Sequence, residues 1–145
     1  MKNTTIARNS EFISICLEII RRDTASGIRP SITAVLTEAI HRQPRCHYAS
    51  YEHTSRMLHL IERKGIDSIP RKLQRLKWQE ISNQVKEAMD GPRKLPFDKA
   101  LTFVLGFRRP SRFYFDTAHA LRIIRPYIHF RLCANQIAFY QSQLL

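Results

Sequence analysis

A gapless shift of 66 positions lays the first part of this chain on the second. Pro30 falls on Pro96, Ala34 on Ala100, Arg42 on Arg108, Pro44 on Pro110, Tyr48 on Tyr114, His53 on His119 and Arg56 on Arg122. These are seven identities over the 31 positions from Pro30 to Leu60, where unrelated segments give roughly two, and they point to an internal duplication. Apolar positions keep the same step: Phe12, Ile15 and Ile19 meet Trp78, Ile81 and Val85, and Met57 and Leu58 meet Ile123 and Ile124. A residue shared by both copies has to suit both, and architecture is the simplest demand they have in common. The pattern predicts a single compact domain over residues 1–145, made of two internal repeats at about 8–66 and 74–132 related by pseudo-two-fold symmetry. Each copy alone would be marginal in size, so a shared core is expected.

Within the first copy, Phe12, Ile15, Cys16, Ile19 and Ile20 at helical spacing predict a helix over 9–23, with Ser10 as N-cap and a stop at Ser26-Gly27. Ile32, Val35, Leu36, Ala39 and Ile40 form the stripe of a second helix, opened by Pro30 and capped by Ser31. It ends at Gln43-Pro44, because a residue before proline is biased away from helical angles. Ser50 starts a third helix that runs to about Lys64, with Gly65 as its terminator. The second copy repeats this with helices over 71–89, from Asp98 to about Phe107, and from Asp116 to Pro126, which stops or kinks the last one. The stretches 46–49 and 112–115 read as extended and leave room for a very short antiparallel β ribbon. A final helix at about 127–143 has no counterpart in the first copy. The expected fold class is therefore mainly α: two tandem three-helix units plus a C-terminal helix.

The chain has 24 Lys and Arg against 12 Asp and Glu, a net charge of +12. A polyanion, DNA or RNA, is the natural partner of such a surface. After Asp116 no acidic side chain remains. Cys16, Cys46 and Cys133 form no C-x-x-C pair and are odd in number, which favours a reducing compartment over a disulfide framework. Glu11 and Glu18 interrupt the N-terminal segment, and no stretch approaches the roughly eighteen apolar residues of a membrane span. The expectation is a soluble cytoplasmic protein without membrane association.

The shared element reads R-x-P-x-x-x-Y-x-x-x-x-H-x-x-R, from Arg42 to Arg56 and from Arg108 to Arg122. In a functional reading its tyrosine stacks on exposed bases and its arginines pair with phosphate oxygens. In a structural reading the tyrosine staples the following helix, and the arginine or histidine ties down loop carbonyls. The segment His119-Ala120-Leu121-Arg122 resembles the H-x-L-R segment of tyrosine recombinases, but only these four residues match. Tyr127 and Tyr140 lie closer to it than that family's nucleophile, and the chain is short for its catalytic domain. His41, His47, His53 and His59 recur every six residues, a rotation of about 240° on a helix that gathers no metal ligands on one face. A helix-turn-helix joins its last two helices through about three or four residues, whereas the connectors here, Gln43 to Ser50 and Arg109 to Asp116, are longer and proline-led.

With no Gly-rich phosphate loop, no G-x-S-x-G and no carboxylate cluster for Mg²⁺, the sequence carries no enzyme or cofactor motif. The leading expectation is a small basic, non-enzymatic nucleic-acid-binding protein that contacts phosphates through Arg and Lys patches. Arg108, Arg109, Arg112, Arg122 and Arg125 are its first candidate contacts, followed by Lys72, Arg75 and Lys77. Tyr48 and Tyr114 are the candidate stacking residues. The alternative is a protein-interaction or scaffold module that docks a protein partner or forms a homodimer through its C-terminal helix.

Overall fold

The structure, a computed structural model, describes residues 3–127. These residues form six α-helices and one 3₁₀ turn: α1 (Asn3–Ala25), α2 (Ile32–Ile40), α3 (Tyr51–Lys64), the turn Ile66–Ser68, α4 (Lys72–Asp90), α5 (Phe97–Phe107) and α6 (Thr117–Tyr127). The C-terminal helix expected at about 127–143 lies outside the described residues. No helix among the described residues is long and apolar enough to cross a membrane.

Most helix ends follow from local chemistry. Gly27 at φ 76° closes α1, its N–H donating to Thr24 O while Ile28 N–H reaches Asp23 O at 2.8 Å. These two bonds make a Schellman motif, which demands the left-handed backbone that glycine adopts freely. Ser50 Oγ accepts the His53 N–H at the start of α3, and Asp116 Oδ1 accepts the His119 N–H at 2.8 Å at the start of α6. Two expected starts are corrected. α1 begins at Asn3 rather than residue 9, because nothing in 3–9 breaks a helix, and Ser10 falls inside it. Ser31 occupies the N-cap position of α2 as expected, though its side chain makes no capping bond. Pro96 is the N-cap of α5, which places Asp98 in the first turn, where its charge complements the helix dipole.

The expected β ribbon is also corrected, since no strand occurs among the described residues. Tyr48 sits at φ 51°, which breaks the extended run a ladder needs. Side chains rather than a partner strand bond the carbonyls of Gln43, Pro44 and Arg109.

Two compact units divide the chain. Among the described residues, one comprises residues 3–8 and Gln43–Tyr114, and the other residues 9–42 and 115–127. In the first, Trp78, Ile81 and Val85 of α4 pack with Ala100, Leu101 and Val104 of α5, and Leu58 of α3 and Ile69 close the cluster. In the second, α2 packs on α6. Buried there are Phe12, Cys16, Ile19 and Ile20 of α1, Val35, Leu36 and Ala39 of α2, and Ala120 and Ile124 of α6. Phe12 meets Phe115 edge to face, with centroids 4.9 Å apart. The first unit thus holds α3, α4 and α5, and the second α2, α6 and most of α1.

Burial agrees at some positions 66 apart and not at others: Ala34 is exposed and Ala100 buried, Pro30 buried and Pro96 exposed. Thr54 and Ala120 are fully buried, and Leu58 and Ile124 are both buried. His53 sets its ring against Trp78, and His119 stacks on Phe115. The shared histidines therefore pack on aromatic rings at the start of their helices.

On α1, Arg22 donates to both carboxylate oxygens of Glu38 at 2.8 Å and also pairs with Asp23; Arg42 adds a bond to Glu38 at 2.9 Å. The bonds from Arg22, then from Arg42, hold the Glu38 carboxyl down at about 2 from its ordinary 4.5. A carboxylate with a depressed folded-state pKa stabilises the fold above its ordinary range and loses that contribution as pH falls. Glu38→Gln should therefore flatten the pH dependence of the urea midpoint between 4.5 and 2, at a cost under about 1 kcal/mol at pH 7 because the group is exposed. Ser50→Ala and Asp116→Ala should each lower the unfolding free energy by about 0.5–2 kcal/mol in urea titrations, the two caps behaving alike.

Candidate functional site

The connectors that follow α2 and α5 have no ladder to satisfy their polar backbone, so side chains take on that role. Arg109 Nε donates to Pro44 O at 2.8 Å, and its Nη2 donates to Gln43 O at 2.7 Å. Gln84, buried on α4, joins the same two segments from the other side. Its Nε2 donates to Arg109 O at 3.1 Å, while its Oε1 accepts from His47 Nε2 at 2.6 Å. Because Gln84 Oε1 is an acceptor, His47 carries its proton on Nε2. Burial pushes the His47 pKa below 6.5, so the ring is neutral at pH 7. Pro44 and Pro110, 66 positions apart, are both buried beside this junction.

On the junction lies a small cleft of about 50 Å³. Arg8, Lys77 and Arg112 bring three cationic side chains to it, and no carboxylate is among the described residues that line it. Cys46 and His47 line it from one connector, Phe113 from the other. Tyr48 and Tyr114 line it as well. Glu80 stands behind the second connector, accepting the Ser111 N–H at 2.8 Å, and Ser111 Oγ lies 3.2 Å from Tyr114 OH. Arg112 donates from Nε to Phe113 O at 2.9 Å and lies 5.8 Å from the centroid of the Tyr114 ring.

Lys77 is the most perturbed of the cations. Its ammonium lies 4.8 Å from the Trp78 ring centroid, and burial, with repulsion from Arg8 second, lowers its pKa to about 8. A half-buried ammonium close to another cation gains from any anion that enters. Tyr48, at φ 51°, adopts a left-handed conformation uncommon for a bulky residue, and such outliers gather at ligand sites.

The ten residues expected from the sequence separate into distinct roles. Lys77, Arg112, Tyr48 and Tyr114 meet in the cleft. Arg109 ties down connector carbonyls, and Arg75 does the same from Nη1 to Ile69 O at 2.9 Å and Pro70 O at 3.0 Å. Arg108 pairs with Glu87 at 3.1 Å. Lys72 is exposed at the start of α4, and Arg122 and Arg125 are exposed on α6 in the other unit. Arg8 was missed because the sequence reading began the first helix after it. No local motif marks it, and only the continuation of α1 to Asn3 brings it into a helix. Among the described residues, no three His, Cys, Asp or Glu side chains are gathered as a metal set.

Comparison with family models, with curated proteins and with solved structures finds no match to this chain. The site therefore has to be read from its own chemistry.

Replacing Gln84 by leucine leaves the His47 N–H and the Arg109 carbonyl without their partner in a buried setting. The variant should lose about 1–3 kcal/mol of unfolding free energy in urea, with its helical circular dichroism retained before the transition.

Proposed function

We propose that this protein binds nucleic acid without catalysing a reaction on it, seating backbone phosphates in the cleft formed by Arg8, Lys77 and Arg112. The observation that carries this reading is the convergence of three cations, one of them desolvated, on a concavity with no carboxylate in its described lining. Such a cleft concentrates potential and favours polyanions. The two tyrosines add aromatic surface of the kind that accompanies phosphate contacts in nucleic-acid sites. Lys72 is exposed on the helix that carries Lys77 and extends the basic character of that unit.

The architecture carries a related proposal. The matching helix bounds, the paired caps at Ser50 and Asp116 and the buried pairs Thr54/Ala120 and Leu58/Ile124 support an internal duplication in which the third helices are exchanged between the copies.

A second reading, as a protein-interaction module, has one observation in its favour. Phe107 is 78% exposed at the end of α5, beside Phe103, with ring centroids 5.4 Å apart. Phe107→Ser would abolish concentration-dependent self-association in light scattering if that reading held, and would leave nucleic-acid binding intact.

Fluorescence anisotropy with labelled oligonucleotides across salt concentrations tests the main reading. Replacing Lys77 and Arg112 together by alanine should reduce the log-affinity versus log-salt slope by about 1 to 2. An unchanged slope removes the cleft from the mechanism. Affinity should also fall as pH rises from 7 to 9, because Lys77 loses its proton near 8. The titratable and charged groups that share the cleft with Lys77 are Arg8 on α1, Cys46, His47 and Tyr48 on one connector, and Arg112 and Tyr114 on the other, with the Glu80 carboxylate on α4 bonded to Tyr114 and acting on His47. Lys77→Arg keeps all of them and should remove most of the decline.

A further inference from the structure

Building on the phosphate-binding reading, we infer that the cleft takes an unpaired nucleotide: single-stranded nucleic acid, with a phosphate on the recessed cations and a neighbouring base against Tyr48 or Tyr114.

The two tyrosines occupy the same place in the two sequence copies, and the residues around them do not match. Cys46 stands opposite Arg112, His47 opposite Phe113, Ala49 opposite Phe115 and Ser50 opposite Asp116. A shared local conformation does not explain the shared tyrosine, since Tyr48 is left-handed at φ 51° whereas Tyr114 has no positive φ. What the two residues have in common is the cleft: both line it, although they reach it on different backbones. A tyrosine in the left-handed region is a position where asparagine or glycine would fit with less strain. Its aromatic ring is the property that a ligand can use.

Shape makes the same distinction. Lys77 is half-buried and lies within a concavity, so a phosphate has to enter to reach it. A duplex presents its phosphates on a broad convex cylinder and keeps its base faces stacked inside, out of reach of the tyrosines. A single strand rotates about its backbone, delivers one phosphate into the cleft and offers an open base face to an aromatic ring. Stacking tolerates every base, so weak sequence preference is expected. DNA and RNA share this phosphate and base chemistry.

The test compares four fluorescent probes of equal length with full-length protein: single-stranded DNA, single-stranded RNA, duplex DNA and an abasic strand that keeps the phosphates. At least one single strand should bind about fivefold or more tightly than both the duplex and the abasic strand. Tyr48→Asn, which suits the left-handed backbone, combined with Tyr114→Leu, should bring single-strand affinity down to the abasic level. Tyr114→Phe alone should not, because it keeps the ring. Thermal melts establish that each variant is folded. Equal binding of intact and abasic strands would overturn the inference and leave the phosphate reading standing. Binding of none of the probes would remove both.

Discussion

Gln84 holds the site together by using both ends of one amide. A buried connector with no strand partner leaves N–H and C=O groups that cost free energy unless they are bonded. Gln84 answers one such need with its donor, to the Arg109 carbonyl, and uses its acceptor to fix the His47 ring. Arg109 returns the favour with its guanidinium on the Gln43 and Pro44 carbonyls. The five residues His47, Gln84, Arg109, Gln43 and Pro44 form one connected chain of bonds. Cys46, Tyr48, Arg112 and Tyr114 are neighbours in sequence of these anchored positions, and the geometry of the cleft follows from the anchoring. An amide is well suited to this place, since a carboxylate would have no donor for Arg109 O and would bring charge into a buried setting.

The cleft stands on an ordinary helical core. α4 gives Trp78, Ile81 and Val85 to that core and turns Gln74, Lys77 and Gln84 to the connectors. One helix therefore fixes both the packing and the chemistry. This explains how a half-buried ammonium is tolerated: the Lys77 charge lies over the face of the Trp78 ring, a cation–π contact, and lines the cleft.

Much of this was legible in the sequence where short-range chemistry decides. Gly27, Ser50, Gly65 and Asp116 mark helix ends that the structure places within a residue or two, whereas α2 ends at Ile40, before the stop expected at Gln43-Pro44. The start of α1 was not legible, because residues 3–9 carry no proline, no glycine and no distinctive apolar stripe to set a boundary. The β ribbon failed for a long-range reason. Arg109 and Gln84 lie far from Pro44 and His47 in sequence, and no local pattern announces that they will claim those groups. Half of the site was legible for a similar reason. Lys77, Arg112 and the two tyrosines stood out by residue type, but the carbonyls that occupy Arg75 and Arg109 belong to tertiary structure. The basic residues could be counted from the sequence, but not sorted into those that hold the fold and those that face the cleft.

The make-up of the two units sets an order on synthesis. The helices α1 and α2 emerge from the ribosome well before α6, which completes their unit, whereas α3, α4 and α5 are contiguous and have their own core by residue 114. At about 5–20 residues per second, the interval between Arg42 and the start of α6 is about 4 to 15 s. During that time the apolar face of α2, with Val35, Leu36 and Ala39, lacks its partner helix. The middle of the chain is thus the first part able to mature, and the N-terminal helices depend on a segment made more than seventy residues later. For a nascent chain this interval is the period of greatest exposure to chaperones, and to the α6 of another copy.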